Sequence, residues 1–282
     1  MSNIQFGAEV YTWFMQGRGA AYANKLDHMI RVSAQAGFTG IEPLVLSIAD
    51  TYWLGDLKDP LKLKDVLDAN QMKLSCFSLV CAWDQEKETP EEQAAADYAI
   101  EALRLFPGAK LGTSPLPRGR HDLYERRLNL IRNLNRVGHR ARDVGVPTSF
   151  HPNSPPASMV RTREDYDVVL NSLDPTVTGW TADVGHIARG GMDVIETLTR
   201  WAHLLDHIHF KDFSGNGPEP WAKMGTGKLD FHAITEWLVT RKFSGWIVCE
   251  DEAPEAVGDP DGVTLQDGAW CRQNLFPIAG LA

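Results

Sequence analysis

The 282-residue chain is expected to be an α/β protein forming a single (β/α)8 TIM barrel, and three observations lead there. Short runs rich in apolar, β-branched and aromatic residues alternate throughout with stretches of helical apolar spacing. Eight such runs occur. Their starts recur roughly every 35 residues, close to the ~250-residue, eight-unit plan of a barrel.

The expected strands are 4–10, 39–45, 73–80, 109–113, 146–151, 179–183, 206–211 and 246–250. Helical periodicity fills the intervals at 26–36, 59–69, 91–105, 164–173 and 231–242. It also appears as Leu130, Leu134, Val137 and Ala141 at i, i+4, i+7 and i+11, and as Ile195, Leu198, Trp201 and Leu205. An open doubly wound sheet is the alternative, but no GxGxxG follows the first strand. No Ser/Gly/Pro-rich linker divides the chain, so residues 1–282 are read as one domain. The stretches 154–158, 215–227 and 253–262 are read as strand-to-helix loops, which in a barrel build the active-site face.

Composition narrows the function. With 43% hydrophobic and 23% charged residues the chain has the make-up of an ordinary soluble globular protein. No apolar run approaches the ~18 residues that span a bilayer, and the N-terminal MSNIQFGAEV lacks a basic-then-apolar layout, so neither a membrane nor an exported protein is expected. Twenty-eight Lys and Arg against 37 Asp and Glu leave a net charge of −9, which disfavours a nucleic-acid partner. Cys76, Cys81, Cys249 and Cys271 form no CxxC pair and are expected to be buried free thiols in a reducing, cytoplasmic setting. Association of copies through the outer helices is left open, because no exposed apolar helix face stands out.

The informative polar residues end the later strands, where inward-facing positions converge on one mouth. In Asp206-His-Ile-His-Phe-Lys211, period-2 alternation puts His207, His209 and Lys211 on the face opposite Ile208 and Phe210. The apolar face belongs against the helices, so the histidines point inward. The same parity turns His151, Asp183 and Glu250 inward, so four metal-competent side chains end four consecutive strands. Imidazole and carboxylate without thiolate suit one divalent ion, Mn²⁺ before Mg²⁺, Co²⁺ or Zn²⁺.

Asp183-Val-Gly-His186, His207-Ile-His209-Phe-Lys211-Asp212, the Gly225-Thr-Gly227 turn before Leu229-Asp-Phe231, and Gly245-Trp-Ile-Val-Cys-Glu250 resemble the sugar phosphate isomerase/epimerase superfamily. Gly37-Phe-Thr-Gly-Ile-Glu42 matches its second strand. The superfamily is a xylose-isomerase-like TIM barrel that includes ketose 3-epimerases, hydroxypyruvate isomerases, inosose dehydratases and DNA repair endonucleases of the endonuclease IV type. The resemblance implies that Asp183, His209 and Glu250 are metal ligands and that His186 touches a substrate hydroxyl or carbonyl. Many members end the fifth strand with a Glu that is fourth ligand and base. Here that position is His151, either a ligand or a base beside the metal. The exchange raises the formal charge of the loaded site from about −1 to about 0 and puts a symmetric two-carboxylate epimerisation in doubt.

The chemistry implied is proton abstraction next to a carbonyl, through an enediolate. Reprotonation makes an isomerase or epimerase, the reading placed first. Loss of a β-substituent makes a lyase, an inosose dehydratase or a 3-keto-glycoside eliminase, the alternative. A non-catalytic sugar-binding barrel is the remote third. Candidate bases are His151, Glu250 and the inward-facing Glu42, which could equally be a structural hydrogen-bond acceptor. Lys211 is placed at the mouth to stabilise an oxyanion or to pair with an acid such as Asp183. Trp13, Phe14, Trp83 and Trp221 are candidate walls for a sugar ring, with Trp13 and Trp221 taken as substrate-binding, and Asn153 either bonds substrate or caps its loop. With only Gly225-Thr-Gly227 as a faint phosphate signal, the substrate is expected to be an unphosphorylated sugar, cyclitol or keto-glycoside. The trinuclear zinc endonuclease is set aside, because Glu42 and Ser78 stand where it needs histidines and Asp230-Phe-His232 falls at a helix start.

Overall fold

The computed structural model describes residues 3–15, 21–45, 54–215, 217 and 220–281. Eight parallel strands close into a ring. They are β1 (Asn3–Glu9), β2 in two pieces (Gly40–Glu42 and Leu44–Val45), β3 in two pieces (Lys73–Leu74 and Cys76–Cys81) and β4 (Lys110–Pro115). Then come β5 (Thr148–Phe150), β6 (Thr178–Asp183), β7 (Leu205–Phe210) and β8 (Ser244–Cys249). Each strand pairs with its sequence neighbours, and β8 closes on β1 with Ala8 beside Cys249. Pro43 splits β2 because it has no N–H to give the ladder. The seam still holds, since the Ser75 and Ser78 amides donate to the Ile41 and Pro43 carbonyls.

Helices cover the outside, among them Leu26–Gln35, Pro60–Ala69, Pro90–Leu103, Leu123–Asp143, Arg163–Leu170, Val194–Arg200, Phe231–Thr240 and Pro260–Asn274. Asp59, Thr89, Asp193, Asp230 and Asp259 cap N-termini with side-chain oxygens, satisfying amides that have no partner within the helix. The expected strands differ from the observed ones by at most two residues at either end. One helix reading needs correction. The periodicity that runs to Leu205 belongs to a helix ending at Arg200, and Leu205 opens β7 beside Trp180. Trp201 lies just past that helix and keeps the apolar spacing because its ring packs on Trp180 and Tyr166, at 6.2 and 5.8 Å between centroids.

The apolar core is the sleeve between strands and helices, where Phe6, Ile41, Phe77, Leu111, Phe150, Trp180, Ile208, Phe210 and Ile247 are buried. The barrel interior is unusually polar. Glu42, His207, His209, Thr181, Ser149 and Asp183 are buried within it. Trp246 fills its lower end, so tightly that any side chain at Gly40 would overlap the indole. A bulge opposite Trp180 and Thr181 adds Asp206 to this interior, where it accepts from Lys110 and Ser149 at 2.8 and 2.7 Å. All four cysteines are buried free thiols, and no helix among the described residues is long and apolar enough to cross a membrane.

Candidate active site

Strand register places the donors. Asp183 on β6 lies directly beside His209 on β7, and Cys249 beside Phe210, so the next residue, Glu250, turns inward at their level. The His151 amide donates to the Thr113 carbonyl at 2.8 Å, which carries the ladder one residue past β5 and aims the imidazole into the mouth. His151, Asp183, His209 and Glu250 each offer a donor atom, all within 4.8 Å of one another.

The geometry of each donor follows from local structure. Asp183 caps the helix Val184–Arg189: its Oδ1 accepts from the His186 amide at 2.8 Å, leaving Oδ2 for the centre of the cluster. Gly185 follows because a Cβ there would sit 2.6 Å from the Lys211 carbonyl oxygen. His209 bridges two acids, with Nδ1 at 3.1 Å from Glu250 Oε2 and Nε2 at 3.1 Å from Glu42 Oε2. His207 Nε2 reaches the same Glu42 oxygen at 2.8 Å. Carboxylates only accept, so both nitrogens of His209 carry protons here. Burial alone would lower its pKa, but Glu42 and Glu250 raise it well above the usual range. Burial works against ionisation of Glu42 too, and the two imidazoles more than reverse it, holding the carboxyl far below its usual range.

Lys211 sits at the rim of the cluster, buried, with Nζ 2.6 Å from Glu250 Oε1, 2.5 Å from Glu252 Oε1 and 3.3 Å from Asp183 Oδ2. Against the cost of burial, these acids raise its pKa well above normal. In return, Lys211 and His209 hold Glu250 down to about 2 despite its burial. Lys211 Nζ also lies 3.3 Å from His186 Nε2. An ammonium only donates, so Nε2 is the acceptor and His186 Nδ1–H donates to Ser154 Oγ at 2.8 Å. Burial keeps that imidazole neutral.

Two buried polar atoms in this cluster, His151 Nε2 and Asp183 Oδ2, lack a hydrogen bond and face each other at 3.5 Å. Buried polar groups are rarely left unpaired. An N₂O₂ donor set with unmatched atoms turned to its centre fits a divalent cation.

Above the cluster lies a cavity of about 210 Å³. Imidazoles of His151 and His186 enter from the β5–β6 side, and Glu9, Glu250 and Glu252 from the β8–β1 side. Tyr11, Phe14, Leu44, Val80 and Leu116 make an apolar wall. Burial, with Glu250 and Glu42 adding to it, raises Glu9 well above the carboxylate range, and burial pushes Glu252 up to about 7. A wider groove of about 420 Å³ at the opposite end of the barrel, around Arg142, His203 and Asp206, contains none of the four donors.

Several sequence expectations change here. Glu42, kept open as base or as hydrogen-bond acceptor, is not among the residues lining the cavity, and one of its oxygens takes both imidazoles beneath the cluster. Trp13 is fully buried and donates to Asp261 Oδ1 at 2.6 Å, so it backs the wall while its neighbours Tyr11 and Phe14 form it. Trp83 is likewise buried outside the cavity. Trp221 stands behind the catalytic face, its ring 5.0 Å from Lys211 Nζ and 5.3 Å from the His186 ring. Asn153 lines the cavity while Nδ2 donates to Ser114 Oγ and the Pro115 carbonyl, and its Oδ1 is left without a partner. The Gly225–Gly227 turn offers no phosphate cradle, since the Gly227 and Leu229 amides donate to Asp212. Sequence reasoning missed Glu9, Tyr11 and Arg189 and gave Glu252 no role. Glu9 and Glu252 share parity with inward neighbours, which was the available signal.

A closed barrel with a four-donor cluster at the C-terminal mouth defines a metal-associated TIM-barrel enzyme. The chain belongs to the xylose isomerase-like TIM barrels, whose family pattern matches residues 30–274. It is similar to the inosose dehydratase of Clostridium botulinum (strain Alaska E43 / Type E3), 25% identical over 84% of this chain and 85% of that one. It is similar also to that of Lacticaseibacillus casei, 25% identical over 86% of both chains. Among solved structures it resembles the IOLI protein with a bound zinc atom, with a TM-score of 0.74, 18% identity and 98% of both chains covered. The D-psicose 3-epimerase of Clostridium cellulolyticum H10 matches with a TM-score of 0.74 and 13% identity over 96% of this chain and 99% of that one.

Proposed function

We propose that the protein is a divalent-metal-dependent lyase that removes a β-substituent, water in the simplest case, from an unphosphorylated keto-cyclitol or keto-sugar. The observation that carries this is the asymmetry of the cavity. Epimerisation through two matched carboxylates needs one on each face of the planar intermediate, whereas here imidazoles hold one side and carboxylates the other. The inosose dehydratases among the relatives favour the same reading over isomerisation.

His151, Asp183, His209 and Glu250 would hold the ion, as Mn²⁺, Co²⁺ or Zn²⁺, with Mg²⁺ least suited to two imidazole donors. When bound, the cation polarises the substrate carbonyl and acidifies the adjacent C–H. Glu252 takes that proton: it lines the cavity and lies outside the donor set. Lys211 protonates the departing hydroxyl, which leaves as water. Glu252 then returns its proton to Lys211 along their 2.5 Å hydrogen bond, and the pair is reset. His186, fixed by Ser154, holds the substrate oxygen between them.

The test is elemental analysis of the purified protein, followed by incubation with inososes, ketoses and 3-keto-glycosides in D₂O under NMR. An unsaturated product with about one metal ion per chain is expected. Epimers or isomers carrying solvent deuterium would return the reading to isomerase, and neither metal nor exchange would overturn both.

A further inference from the structure

The cavity wall contains a cation that forms no ion pair with any described residue. Arg189 lines the wall, one helical turn beyond His186 on the helix Val184–Arg189, so the two share a face. Among the described residues its guanidinium has no hydrogen bond and no ion pair. It stacks instead on the Trp221 ring, whose centroid is 5.1 Å from Cζ. The acid nearest in effect is Glu252, whose carboxylate is already bound to Lys211. Arg161 adds a second guanidinium nearby, its Nε buried without a partner, and its charge is felt at Arg189. Arginines elsewhere in the barrel contrast with this pair: Arg118 and Arg126 pair with Asp84, and Arg120 pairs with Asp165. Desolvating a guanidinium without a counter-ion is costly, and in a cavity wall it leaves a place for an anion.

Position says where that anion would lie. Trp221 contacts both Arg189 and Lys211, so the two cations stand within about 10 Å of each other across one ring. Lys211 pairs with Glu250 of the four-donor cluster, whereas Arg189 lines the same cavity with no ion pair to any of the four donors. We infer that the substrate bears an oxyanion, a carboxylate or a phosphate, remote from its reacting carbonyl, and that Arg189 is the residue that selects it. The inference rests on the keto-sugar reading for the site but not on the fate of the substrate there. A carboxylate makes the substrate a keto-sugar acid; a phosphate would replace the expectation of an unphosphorylated one.

The test is calorimetric binding to the metal-loaded protein and to its Arg189→Gln and Arg189→Lys variants, with gluconate, glucose 6-phosphate and myo-inositol as probes. Hydrogen bonds to a charged group imply that one of the two anions binds about 10- to 100-fold tighter than the neutral cyclitol. Arg189→Gln should collapse that ratio, Arg189→Lys should keep part of it, and raised salt should shrink it in the wild type. Whichever anion shows the effect identifies the group. Anion affinity that is unchanged in Arg189→Gln would mean that the metal alone holds the acid and would overturn the inference, as would equal affinity for all three probes. Circular dichroism melts of both variants establish that they fold. Because binding is read without turnover, a protein that selects an anion yet eliminates nothing would refute the lyase and keep the selector.

Discussion

Glu42→Gln is the most incisive perturbation of the site, because it changes one atom of a residue that does not itself line the cavity. In the wild type one carboxylate oxygen accepts from His207 at 2.8 Å and from His209 at 3.1 Å, all three side chains buried. Two hydrogen bonds to a charged acceptor contribute about 3–6 kcal/mol, and an amide oxygen recovers about half, so the metal-free variant should lose about 1.5–3 kcal/mol. For a chain this long that lowers the melting temperature by roughly 3–6 °C. The second consequence is specific to the site. A carboxylate on the far nitrogen of a metal-bound imidazole fixes its orientation, and losing one weakens metal affinity about 10- to 100-fold. Competition with a chromophoric chelator measures this directly. His207→Gln is the control: it breaks the same network without reaching the four donors, so it should cost stability while changing metal affinity by no more than a few-fold. pH adds a signature. His209 has a raised pKa in the metal-free fold, so its contribution is complete below the unfolded value near 6.5 and is lost as pH rises through the folded one. Metal must displace that proton, so affinity climbs with pH, and Glu42→Gln should flatten the climb. If Glu42→Gln bound metal as tightly as wild type, or no more weakly than His207→Gln, then Glu42 would not position His209 and the reasoning would fail.

Lys211→Met should leave Asp183, Glu250 and Glu252 facing one another without the ammonium they share, at a cost of about 3–5 kcal/mol, or on the order of 6–10 °C in melting temperature. Those carboxyls would then titrate above their unfolded values, so the variant should recover stability as pH falls, and a melt indifferent to pH would count against the network. Trp13→Phe removes the indole donor to Asp261, an acid that His28 also holds at 2.7 Å. Because Asp261 is partly exposed, water replaces part of the bond and the loss should be about 1 kcal/mol. Steady-state kinetics should show KM rising more than kcat falls, since Tyr11 and Phe14 share the short helix Tyr11–Phe14 with it. A change confined to the melting temperature would make Trp13 scaffold alone.

The barrel was legible in the sequence because its strands alternate strictly, and period-2 parity is sensitive to a single residue. His151, Asp183, His209 and Glu250 came from that parity at four consecutive strand ends, and the structure draws those four together. Glu42 shows the limit of the method. Parity turned it inward correctly but could not say that two histidines from the other side of the ring would occupy it. Trp13 fails for another reason: it lies on a four-residue helix just past the first strand, where a strand end or loop is expected, and helical rotation turns adjacent aromatics to opposite sides. Arg189 was invisible, since a basic residue in the last turn of a helix is ordinarily a favourable partner for the helix dipole. Only its lack of an ion pair with any described residue, visible in three dimensions, sets it apart.

The donors sit on or within one residue of the strands, whereas Tyr11, Asn153, Arg189 and Glu252 stand on the segments that follow them. The two layers therefore differ in how freely they can vary. An exchanged loop changes which molecule is admitted and which groups it must carry. A changed donor disturbs register, the buried Glu42 network and the ion together. In this barrel the reaction is inherited through the ladder and the clientele is rewritten in the loops, so variants that accept new substrates should be sought at positions 11, 14, 153 and 189.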